Sequence, residues 1–158
     1  MRRAHAIAGR LVALVGASTA ASASWAACNV SATVLPFNVY NPANVSATDA
    51  TGTVTVTCTV IVGIAESWTV KLSKGTSSTY SPRVLSNGVA TLNYNIYTTN
   101  ARTTIWGDGS GGTDFISDSR FLVIGSNSYS YTMYGRIPPL QDARAGAYSD
   151  TIVVTISY

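Results

Sequence analysis

Residues 52–63 limit the fold more than any other part of this chain. Val54, Val56, Cys58, Val60 and Val62 fall on one side of a two-residue period, and Thr53, Thr55, Thr57 and Thr59 fall on the other. Successive side chains of a strand point to opposite faces of a sheet, and β-branched residues suit that pleated surface. The segment predicts a strand with one apolar face, carrying Cys58. The alternation returns over residues 67–73, with Trp68, Val70 and Leu72 in phase. It returns again after the turn signal Ser86-Asn87-Gly88, where Ala90, Leu92, Tyr94 and Ile96 share a face. Residues 29–37 read as a strand beside 52–63, and residues 121–124 as a short one. Tyr129, Tyr131 and Met133 lead into a stretch that Pro138 and Pro139 end, since proline cannot donate to a ladder. In residues 147–158, Ile152, Val154, Ile156 and Tyr158 alternate with Val153, Thr155 and Ser157. No helical period of useful length follows the N-terminal segment. Six or seven strands at this spacing predict one all-β domain, an antiparallel sandwich.

The first residues read differently. Arg2 and Arg3 give a positive start, residues 6–17 are small and apolar, and residues 18–27 are rich in small side chains, the three parts of a secretory leader. Ser24-Trp25-Ala26 places cleavage after Ala26, with Ala21-Ser22-Ala23 as the second choice. On the first choice, residues 1–26 are the leader and residues 27–158 the exported domain. The apolar run is too short to cross about 30 Å of hydrocarbon, and no later stretch could do so. Trp25, three residues before Cys28, fits a lipid-attachment box poorly.

Export changes the charge argument. The chain carries ten Lys and Arg against seven Asp and Glu, a net +3. Arg2, Arg3 and Arg10 leave with the leader, so seven basic side chains face seven acidic ones. A neutral domain lacks the basic excess that drives nucleic-acid binding. His5, the single histidine, leaves too, which removes histidine as a base, a nucleophile's partner or a metal ligand. Cys28 and Cys58 form an even pair in an exported chain and predict one disulfide, with two free buried thiols as the alternative.

Other side chains give little support for catalysis or for a cofactor. Asp108 and Asp114 bracket the glycines of 105–114, but calcium needs six to eight oxygens and a solvent-facing turn is the better reading. Glu66, the single glutamate, has no second carboxylate for glycosidase chemistry. Trp68, Tyr94, Tyr129 and Tyr131 lie in phase with apolar neighbours and read as core. Trp106 and Tyr80 fall in loops and are the candidates for contact with a surface or a glycan. Arg136, before Ile137 and the prolines, is a candidate partner for an acidic group.

Several segments together resemble the spore coat protein U domain. They are Cys28-Asn29-Val30-Ser31 with Pro36-Phe37-Asn38-Val39-Tyr40-Asn41-Pro42, residues 51–58, Leu72-Ser73-Lys74-Gly75, residues 92–97 with Trp106-Gly107-Asp108-Gly109, Tyr134-Gly135-Arg136-Ile137-Pro138 and residues 145–155. The likeness covers the mature chain in order. The family is similar to the subunits of archaic, Csu-type chaperone–usher pili. It implies an immunoglobulin-like sandwich without its final strand, completed first by a periplasmic chaperone and then, at the outer-membrane usher, by a neighbouring subunit. It implies fibres that serve surface attachment and biofilm formation. The implied strand-exchange edge is Ile152, Val154, Ile156 and Tyr158.

Two forms stay open on the residues themselves: a sandwich that closes on its own strands, or one that exposes an edge. A donor segment needs roughly a dozen residues before the first cysteine. Cleavage just before Cys28 leaves almost none, so the chain is expected to accept a strand and not to donate one. That fits a fibre tip, or a self-complete coat or matrix protein. A small lectin-like module is the third reading.

Overall fold

A computed structural model describes the backbone of residues 3–8 and all of residues 25–158. The rest of the expected leader up to Ser24, with the alternative cleavage motif Ala21-Ser22-Ala23, lies outside the described residues. Among the described residues nine strands follow one another: β1 Arg3–Ala8, β2 Ala26–Ala32, β3 Thr48–Val60, β4 Ile64–Leu72, β5 Arg83–Ser86, β6 Thr91–Tyr97, β7 Ile116–Leu122, β8 Gly125–Ile137 and β9 Ile152–Ser157. They form two sheets, in the orders β1-β9-β4-β7 and β2-β3-β8-β6-β5, with every named pairing antiparallel. The fold is the expected all-β sandwich.

The valine face of β3 points inward. Val54, Val56 and Cys58 are wholly buried and meet Trp68, Val70 and Leu72 of β4 together with Val154 and Ile156 of β9. The threonine face stays on the outside, where Thr55 and Thr57 share hydrogen bonds with Ser130 and Ser128 of β8 at 3.1 and 3.0 Å. Cys28 and Cys58 are directly opposed in the β2–β3 register and are joined by a disulfide.

Strand limits differ from the sequence expectation where tertiary contacts decide them. β3 starts earlier, at Thr48, because its ladder with β8 continues to Ile137, where Arg136 grips Asp49 through two hydrogen bonds of 2.7 and 2.8 Å. It stops at Val60, and the chain crosses to the other sheet through residues 61–63, so Val62 is 42% exposed despite its phase. β2 ends at Ala32 rather than reaching Phe37. The linker that follows packs Leu35 and Phe37 against Gly135, where a Cβ would fall 2.7 Å from either side chain. The short strand expected over 121–124 is the end of β7, and 129–133 is the middle of a 13-residue β8.

One buried cation organises the far loops. Arg83 is fully buried. It donates to the Asn95 side-chain amide oxygen at 2.7 Å, twice to the Ser73 backbone carbonyl at 3.0 and 2.9 Å, and to the Trp106 backbone carbonyl at 2.7 Å. Those bonds tie the start of the β4–β5 loop, β6 and the glycine-rich loop into one unit.

Candidate functional site

β9 carries the residues expected to form the strand-exchange edge and lies between β1 and β4. Ile152, Val154 and Ile156 are 7%, 0% and 0% exposed, while Tyr158 is half-buried beyond the strand's end. On one side β9 pairs with β4 from Leu72↔Val154 to Thr69↔Ser157. On the other it pairs with β1, six residues from Arg3↔Ser157 to Ala8↔Ile152. Ala4, Ala6 and Ala8 are the register partners of Ile156, Val154 and Ile152. β9 is thus flanked by β4 on one side and by β1 on the other in the four-stranded sheet.

The interior beside β9 is incompletely filled. A cavity of about 320 Å³ lies between β9 and the β2–β3 linker, walled by Val34, Leu35, Tyr94, Met133, Ile152 and Val154. A second, of about 580 Å³, adjoins it and shares Phe37, Leu85 and Tyr148 as lining. Protein interiors normally pack as densely as organic crystals. An apolar cavity against the core residues Ile152 and Val154 is thus room for further apolar side chains.

The β5 and β7 edges are less receptive. β5 has four residues, and Ser86 is bridged to Ser149 through two backbone hydrogen bonds. β7 carries the Asp118–Arg120 ion pair at 3.0 Å. Charges and short length are the usual protections of an edge.

A second feature lies at one pole. The β3–β4 and β7–β8 turns both cross between the sheets at the same end, because Val60 pairs with Gly125 and Ile64 with Leu122. They present Ile61, Val62, Phe121, Val123 and Ile124, which are 42–71% exposed. Trp25, also exposed, sits beside them, its carbonyl accepting from the Ile61 N–H. The two turns touch: a Cβ on Gly63 would lie 3.2 Å from the Phe121 ring. Singly exposed apolar residues are ordinary, but a cluster marks a contact surface. Sequence reading missed this pole because Val62 continues the apolar phase of β3 and residues 121–124 read as a strand.

The two aromatic contact candidates are corrected. Trp106 is 0% exposed and donates its indole N–H to the Val70 carbonyl at 3.0 Å; Tyr80 is 6% exposed and donates to the Leu72 carbonyl at 3.2 Å. Their loops fold back onto β4, so both rings pack inside and neither reaches a surface. Asp108 and Asp114 serve their own loop, accepting from Ser110 and from the Phe115 N–H. The Ser110 bonds hold the Asp108 carboxyl below its usual range. Among the described residues, no helix is long and apolar enough to cross a membrane.

No curated protein matches the chain. A model of the spore coat protein U domain matches residues 14–155, nearly its whole length, and the chain belongs to that family of coat and pilus-type structural subunits.

Proposed function

We propose that the mature protein is an exported subunit of a chaperone–usher fibre that accepts a strand along β9. The observation that carries this reading is the β9 edge itself: it takes six residues of antiparallel strand in register, beside an unfilled cavity of about 320 Å³. A partner strand with valine, isoleucine or leucine at alternate positions would complete the sheet through its backbone and fill the cavity with its side chains. A periplasmic chaperone is the first such partner, and a neighbouring subunit replaces it at the outer-membrane usher. The exposed pole supports a role in adhesion, and at the end of a fibre it would meet the surface being colonised.

Periplasmic expression with and without a co-expressed chaperone of the family tests this. The expected result is degradation or aggregation of the chain alone and recovery of a one-to-one complex with the chaperone. A chain that accumulates alone as a stable, cooperatively unfolding monomer would overturn strand acceptance and favour a self-complete coat or matrix protein.

A further inference from the structure

We propose that the leader is removed after Ala23, so that the exported chain begins Ser24-Trp25-Ala26 and Trp25 forms part of the apolar pole. Three observations lead there. Ala26 is 4% exposed, belongs to the core and is the register partner of Val60, itself 1% exposed. The Trp25 carbonyl accepts from the Ile61 N–H at 3.4 Å, extending the β2–β3 ladder by one residue. Trp25 itself is 56% exposed, beside Ile61. Cleavage after Ala26 would strip Val60 of its cross-strand neighbour and Ile61 of its acceptor. It would also discard the largest apolar side chain at that end. Cleavage after Ala23 keeps all three, and Ala21-Ser22-Ala23 supplies the small side chains that a signal peptidase reads before the bond.

A tryptophan suits this place. Its ring offers a large, rigid apolar face at little conformational cost, while its N–H tolerates water at the rim. Trp25, Ile61 and Val62 are exposed together, and a flat apolar surface is the partner against which all three can lie at once. The inference rests on residues before the domain being a leader and on the pole being a contact surface.

The test uses the full chain, exported through its own leader with its chaperone, and reads the N-terminus by intact mass and Edman sequencing. Ser-Trp-Ala is expected. A chain beginning at Ala27 overturns the assigned bond, whereas one still beginning at Met1 overturns the leader reading beneath it. Trp25→Ser, prepared identically, should keep the parent's melting temperature and lose several-fold in retention on phenyl-agarose, with Val39→Ser as the exposed control. Retention equal to the parent's overturns the part given to Trp25 without touching the remainder of the pole.

Discussion

Replacing Ile61, Val62, Phe121, Val123 and Ile124 together by serine should abolish adhesion to apolar surfaces while leaving the fold intact. The five side chains are 70%, 42%, 68%, 63% and 71% exposed. Full burial of a Val, Ile or Phe side chain is worth about 1.5–3 kcal/mol. With roughly two-thirds exposed on average, and about half of that area able to face a plane at once, the mean contribution to contact is ~0.5–1 kcal/mol per residue. Five give ~2.5–5 kcal/mol, a change of about 60-fold to several thousand-fold in partition between solution and surface. Stability should barely move, because exposed substitutions usually stay within about 0.5 kcal/mol each. Retention on phenyl-agarose and adsorption to polystyrene beads, scored beside thermal unfolding, measure both quantities. A control carrying serine at Val39, Val45 and Val89 removes side chains that are 95%, 79% and 81% exposed but lie away from the pole. If the five-serine variant binds like the parent, or if the control loses as much, the pole is ordinary surface and the adhesion argument fails.

Three further outcomes follow from the geometry. Arg83→Met should cost about 3–5 kcal/mol in urea unfolding, because it strands two carbonyls and Asn95 that a buried cation satisfies; Arg83→Lys should recover part of that, and a loss under 1 kcal/mol for Met would refute the role. Opening the Cys28–Cys58 bridge, 30 residues apart, should cost ~3–4 kcal/mol in the chain-entropy model, read as the difference between oxidised and reduced protein. Stability should also fall in acid. Hydrogen bonds from Arg136 hold the Asp49 carboxyl low against a smaller push from burial; at Asp118, burial pushes up but bonds from Tyr131 and Arg120 outweigh it. Both groups are depressed when folded, so their contribution is present above the ordinary value of 3.8 and is lost as pH drops through the lowered folded values. Unfolding midpoints from pH 6 to 2 should decline below about pH 4, less steeply in Asp49→Asn, and a flat profile would count against both pairs.

What the sequence made legible, and what it hid, divides along one physical line. Periodicity reports which way a side chain points relative to its neighbours, and on that it was sound: Val54, Val56, Trp68, Val70, Leu92, Tyr94 and Val154 are all inside. It does not report where the sheet ends. Val60 and Val62 share a phase, yet one is in the core and the other on the pole, because the chain turns between them. Nor does it report loops that fold inward. Trp106 sits among glycines and looked exposed, but its indole finds the Val70 carbonyl; Arg83, which no periodicity singled out, is held by backbone carbonyls distant in sequence. The acceptor edge is the sharpest case. Ile152, Val154 and Ile156 alternate as they would in a central strand, since each faces the same core whether or not a strand lies beyond it. What completes the sheet past β9 is a property of another segment, which is why a receptive edge was suggested by likeness to a family and not by the alternation of β9 itself; in the structure the segment beyond β9 is β1.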